Sequence, residues 1–235
     1  MSRKHPKPAL PPEQLLIAWQ SASLLLNYPD EGLLARLDLI RAASHQLPPA
    51  IGASIRDAVA HLESRPLGEL QADYVETFDT RRRCNLFLTY FAHGDTRKRG
   101  VALLRFKQTY LRSGYLVGSA ELPDHLCVVL EYAATVDQRL GWGLLLDHRA
   151  GLELLRLSLR ESGAVWATLV EALAATLPPL RGDEWDAVRR LAAAGPPEEE
   201  VGLDPYAGPS FDPALAARSG SAQELPMPGF PGDRP

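Results

Sequence analysis

The sequence predicts an all-α fold: a single helical bundle of about nine helices, followed by a disordered, acidic and proline-rich C-terminal tail. Three observations predict it. Apolar residues recur at spacings of three and four along nearly the whole chain, with no run that alternates as a strand would. Proline or glycine marks most of the segment boundaries, and the connections are short, which favours antiparallel packing of successive helices. From Gly195 onward the composition changes: nine of the 20 prolines fall there, with glycine, serine and the run Glu198-Glu199-Glu200.

The elements follow in order. Pro11-Pro12 opens a helix to about Tyr28, with Leu15, Leu16, Trp19, Ser23 and Leu26 along one side. Pro29-Asp30 breaks it and starts a second helix through about Ala43. Pro48-Pro49 opens a third, ending near Ser64, and Pro66 leads a helix that carries Tyr74 and Phe78. Asp95 is the expected N-cap of a long helix to about Val117. Pro123 suits the first turn of the next, whose stripe reads Leu126, Val129, Leu130, Ala133, Val136 and Leu140. Helices over roughly 144–161, 163–177 and 182–194 complete the bundle. The expected division is a flexible N-terminus (1–10), a helical domain (11–194) and a tail (195–235) that cannot bury enough apolar surface to offset chain entropy. Tyr206, Phe211 and Phe230 are isolated rings within that tail.

A chain of 235 residues with 46% hydrophobic content can bury a full core. The net charge of −4 belongs to the tail, where seven acids face Arg218 and Arg234, so the body is near +1. That excludes the basic face nucleic-acid binding requires. Cys84 and Cys127 form no CxxC pair, so neither a thiol metal site nor a disulfide framework is expected, and a reducing cytoplasm is the natural setting. No apolar run approaches the ~20 residues of a membrane span. No Walker loop, dinucleotide fingerprint, HExxH or GxSxG occurs, and no nucleophile has an evident base, so no catalytic, metal or cofactor site is expected. His93 with Asp95, and His125 with Asp124, are histidines close to a carboxylate in sequence.

The densest chemistry lies in Tyr74–Gly100, which holds five of 17 aromatics (Tyr74, Phe78, Phe87, Tyr90, Phe91) and six of 25 basic residues. Rings beside concentrated charge suit a surface that grips another chain. Arg81-Arg82-Arg83 reads as a salt-bridged or anion-facing run. Arg97-Lys98-Arg99 would sit in a first helical turn, where the dipole disfavours cations, and so calls for a compensating acid or partner.

Three segments resemble the assembly chaperones (delta subunits) of respiratory nitrate reductase, within the wider all-α family that matures molybdenum enzymes. They are Tyr74-Val75-Glu76-Thr77-Phe78-Asp79 with Arg81; His93-Gly94-Asp95-Thr96-Arg97-Lys98-Arg99-Gly100; and Glu121-Leu122-Pro123-Asp124-His125-Leu126, closed by Leu130-Glu131-Tyr132. The resemblance implies a cytoplasmic chaperone, not an enzyme, with no cofactor of its own. Its implied partner is the catalytic subunit of nitrate reductase in its apo form, held by the N-terminal leader-like segment while the molybdenum cofactor is inserted. It further implies no nucleic-acid partner and no stable membrane insertion. An amphipathic basic leader would lie in a groove with Glu76, Asp79, Glu121, Asp124 and Glu131 at the rim and Tyr74, Phe78 and Tyr132 as lining. Leu122, Pro123 and His125 complete the peptide-binding set. Each of those rings is also of the kind a helical core would bury. The alternatives are a chaperone of a related molybdoenzyme, a nucleotide-binding protein or enzyme using Asp124 and His125, and a purely scaffolding adaptor.

Overall fold

In the computed structural model, which describes residues 5–118 and 121–195, the chain is all helical, and the one β-type contact there is an isolated antiparallel bridge between Phe87 and His125. Helix α1 (Pro12–Leu25) is the centre of the bundle, packed against α3 (Leu37–Ser44), α4 (Pro49–Glu63), α8 (Leu126–Thr135) and α11 (Ala167–Ala175). Its buried residues Leu15, Ala18, Trp19, Ala22, Leu25 and Leu26 repeat at three and four. Leu16, expected on that stripe, is 100° away around the helix and solvent-exposed. Trp19 is fully buried, donates through Nε1 to Thr176 Oγ1 at 3.0 Å, and stacks on Trp142 of α9 (Gln138–Asp147). Ser23 Oγ donates to the Cys127 carbonyl at 2.8 Å, satisfying a polar group at the α1–α8 contact.

The remaining helices are α2 (Glu31–Leu34), α5 (Leu67–Tyr74), α6 (Tyr90–His93), α7 (Arg97–Leu111), α10 (Arg149–Glu161) and α12 (Gly182–Ala194). Among the described residues twelve helices stand against the expected nine: one expected helix divides, the short α6 arises where none was expected, and α9 spans the expected junction between the helix through Leu140 and that of 144–161. The segment 31–44 breaks at Ala35-Arg36 with neither proline nor glycine to mark it. The segment 144–161 breaks at His148, whose Nδ1 lies 2.9 Å from the Leu144 carbonyl while its ring packs on Phe106. Helix α7 ends at Leu111, and Gly114 at φ +73° takes the left-handed conformation that terminates it.

Two local expectations are corrected. Thr96, not Asp95, is the N-cap of α7, and Asp95 instead pairs with Arg99 at 2.8 Å. Pro123 lies three residues before Leu126, the first residue of α8, and is not in its first turn. It sits in a turn that leads to the extended His125, and this segment bonds across to 86–88: Leu88 N donates to the Asp124 carbonyl (3.1 Å) and Leu126 N to the Leu86 carbonyl (2.8 Å). Val136, expected on the α8 stripe, lies beyond the helix and is exposed, while Leu140 belongs to α9. The tail and its rings Tyr206, Phe211 and Phe230 lie outside the described residues. At the other end, Trp142 Nε1 donates to the Pro6 carbonyl at 2.8 Å.

Candidate functional site

The third sequence segment is joined, through His125, to Phe87 of the stretch between the first two segments by the isolated bridge. The Phe87 and His125 rings lie edge to face at 5.2 Å, at the mouth of a cleft of about 540 Å³ between α1 and α8. One wall is Gln20, Ser23 and Leu24 of α1, continued by Asn27 just past its end, spaced i, i+3, i+4, i+7. The other wall is Glu121, Leu122, His125, Val128 and Glu131, with Phe87 and Arg36 closing the ends. Leu122 is 41% exposed, an apolar side chain offered to whatever enters. The charged lining is two carboxylates against the Arg36 guanidinium, net −1 with His125 neutral. Burial pushes the His125 pKa below its ordinary value against the opposing pull of Asp124 and Asp79, so the ring is uncharged at neutral pH. Gln20 Oε1 is buried with no hydrogen-bond donor, an acceptor left open on the α1 wall.

Beneath the bridge sits a polar knot. Asp124 is fully buried; its Oδ2 accepts from Thr89 N at 3.2 Å and Thr89 Oγ1 at 2.5 Å, and lies 3.7 Å from Arg99 Nη2. Arg99 is itself mostly buried and stacks over Phe87 and Tyr90, 5.0 and 5.8 Å from their ring centroids. This is the compensating interaction that the cations of Arg97-Lys98-Arg99 call for: a buried acid together with Asp95. Gly94, at φ +53°, makes the preceding turn, its N–H donating to the Tyr90 carbonyl at 2.7 Å.

The structure brings together Glu121, Leu122, His125 and Glu131 as lining, and Asp79 stands near enough for its charge to act on His125. Pro123 and Asp124 are buried behind that wall, where Tyr110 Oη donates to the Pro123 carbonyl at 2.6 Å. The proposed aromatic lining lies elsewhere. Tyr74 and Phe78 are core rings, 4.7 Å apart and both against Trp166, with Tyr74 Oη donating to the Leu26 carbonyl. Tyr132 is fully buried against Tyr110 and Tyr115. Both motif rings precede or enter a single π turn (Val75–Asp79), with Thr80 N bonded to the Val75 carbonyl, a feature that recurs at functional positions. Glu76 is exposed and paired with Arg81 at 2.6 Å, so the first arginine of the triplet is structural. Gln20, Ser23, Asn27, Arg36 and Phe87 were not singled out as lining. The mixed-polarity stripe at 20, 23, 24 and 27 is the signal that marks a second, more polar face of α1. Among the described residues, no three histidine, cysteine or acidic side chains cluster as metal ligands, and no helix is long and apolar enough to cross a membrane.

The described residues form a helical bundle that carries a mildly acidic, half-apolar cleft. Its fold is that of a putative redox enzyme maturation protein from Archaeoglobus fulgidus, with a TM-score of 0.52 at 23% identity over 74% of this chain and 98% of that one. The chain belongs to the nitrate reductase delta subunit family, which matches residues 44–171. It is 32% identical over 165 residues to the probable nitrate reductase molybdenum cofactor assembly chaperone NarJ of Bacillus subtilis, spanning 68% of this chain and 88% of that one. It is 35% identical over 158 residues to NarJ of Escherichia coli K12, covering 64% of this chain and 65% of the relative. It is also 39% identical over 160 residues to the nitrate reductase-like protein NarX of Mycobacterium tuberculosis, where it covers 68% of its own length but only 24% of that longer relative.

Proposed function

We propose that this chain is a non-catalytic assembly chaperone of respiratory nitrate reductase, acting in the cytoplasm. It binds the N-terminal leader-like segment of the apo catalytic subunit in the α1–α8 cleft while the molybdenum cofactor is inserted. Family membership supports the client, and the cleft supports the mode. A basic amphipathic helix finds Leu24, Phe87, Leu122 and Val128 for its apolar face, and Glu121, Glu131 and the open Gln20 acceptor for its cations. Three or four buried client side chains give roughly 5–12 kcal/mol before ~2–5 kcal/mol of ordering cost, an affinity that permits release without ATP.

The observation that carries this reading is the net-negative cleft that the family segment 121–131 forms with α1 and Phe87. Titration calorimetry of the full chain with a synthetic leader tests it. Saturable binding is expected, weakened ~10-fold or more by Glu121→Lys with Glu131→Lys. Absence of heat at tens of micromolar, or an affinity untouched by the reversals, would refute the cleft assignment. Nucleotide-dependent thermal stabilisation in place of leader binding would favour the nucleotide-binding alternative.

A further inference from the structure

A second cleft, of about 470 Å³, lies among α10, α11 and α12 and shares no lining residue with the first. Three arginines from one helix face reach it: Arg149, Arg156 and Arg160, at i, i+7 and i+11 of α10. They meet two carboxylates, Glu153 and Glu171, leaving an excess of one positive charge. The pairing is uneven. Arg156 holds both oxygens of the buried Glu153, at 3.1 and 2.6 Å, and also approaches Glu171 at 3.5 Å. Arg160 is 71% exposed and only 4.0 Å from Glu171, at the limit of an ion pair.

Arg149 is the exception. It is 7% exposed, yet its Nε and Nη1 have no hydrogen-bond acceptor; the nearest carboxylate oxygen to Nη1, on Glu153, is 3.6 Å away and already engaged by Arg156. A buried guanidinium is normally satisfied, because its desolvated donors have nothing else to offset the loss of water. Here the unmet donors line a cleft. The other wall is Ala174, Pro179, Leu180 and the indole of Trp185, which is 39% exposed. The volume is several times that of a bare oxyanion and falls in the range of small-ligand sites. Unfilled donors at one end and an apolar, planar platform at the other describe a ligand with an anionic head and an organic body.

We propose that this cleft binds a small phosphate ester, its oxyanion accepting from the unmet donors of Arg149 and its body lying over Trp185, with the exposed Arg160 adding attractive charge at the rim. An oxyanion suits the fork of guanidinium donors, and arginine is the side chain best matched to it. The site is independent of the client cleft and stands whether or not leader binding there is upheld.

Trp185 supplies the readout, since Trp19, Trp142 and Trp166 are buried. The full chain is titrated with inorganic phosphate and with phenyl phosphate at constant ionic strength, following tryptophan fluorescence. The expected result is saturable change with both, phenyl phosphate binding several-fold more tightly. Arg149→Met should abolish the response and Arg160→Ala should weaken it several-fold, while Arg105→Ala, on the exposed side of α7, should leave it unchanged. Arg160 is exposed, so its variant keeps the test valid if Arg149→Met fails to fold. No saturation at tens of millimolar, or equal affinity in Arg160→Ala and the unaltered chain, would overturn the site. Phenylacetate binding as tightly as phenyl phosphate would overturn the phosphate assignment.

Discussion

Asp124 illustrates why a residue's place in a motif and its job can differ. The sequence puts it beside His125 at a helix start, where it could cap the helix or face a client. The structure turns its carboxylate inward to Thr89 and Arg99, where it ties the 86–99 segment to the start of α8. Asp124→Ala therefore leaves the Thr89 donors without their acceptor and the mostly buried Arg99 with only the exposed Asp95 as counter-charge, and should cost about 3 kcal/mol in urea unfolding. Asp124→Asn, which keeps an acceptor of the same shape, should cost markedly less; equal losses would mean that the knot contributes by packing alone. His125 shows the opposite case, a motif residue that does reach the cleft. Its folded-state pKa is depressed below the usual value near 6.5 by desolvation, so the fold favours the neutral ring. Stability from this group is complete at pH above that ordinary value and declines as acidification protonates the unfolded chain more readily than the folded one. The same protonation adds positive charge between Glu121 and Glu131. Leader affinity measured by calorimetry should thus fall from pH 7 to pH 5, and His125→Gln should flatten that decline.

At the scale of elements, the local signals were reliable where they were backbone rules and silent where a tertiary contact decided. Pro12 and Pro49 mark true boundaries because proline fixes its own φ whatever surrounds it, whereas Gly114, free to take positive φ, ends α7 short of the expected Val117. The break at His148 and the late start of α8 were not legible, because each depends on a partner distant in sequence: Phe106 in one case, Leu86–Leu88 in the other. The same limit hid the roles of Tyr74, Phe78 and Tyr132, since periodicity cannot say which side of a ring faces a groove. The turn between α8 and α9 depends on a close approach. A Cβ on Gly141 would lie 2.5 Å from Ala133 Cα, so the two helices touch through a glycine and an alanine. Gly141→Ala gains helix propensity yet must push α9 off α8, and a net loss of roughly 1–3 kcal/mol is expected in thermal unfolding. A neutral or stabilising outcome would show that the helices can separate there at no cost.

For the whole molecule, the proposed client cleft is assembled from parts distant in the sequence. The family match begins at Ser44, yet one wall of the cleft is α1 and one end is Arg36, both before it. The fold explains how they are recruited: α1 is held at the centre by Trp19 and its apolar stripe, and this presents Gln20, Ser23, Leu24 and Asn27 to the matched segment 121–131. Under the proposed function, client preference is tuned in part by residues outside the segment the family model matches. Arg36 is the sharpest case, the single cation among the charged lining residues of a cleft proposed to receive a basic segment. It is exposed and occupies the N-cap position of α3, where the helix dipole favours an acid over a base. Arg36→Glu should therefore leave stability unchanged or slightly raised while taking the lining charge from −1 to −3. Affinity for a basic leader should rise several-fold, mostly through faster association, and should fall more steeply with added salt than that of the unaltered chain. Measuring both constants by stopped-flow at two ionic strengths separates the outcomes. A faster, salt-sensitive association places the client's cations in this cleft, whereas unchanged kinetics with intact stability would move the binding surface elsewhere on the bundle.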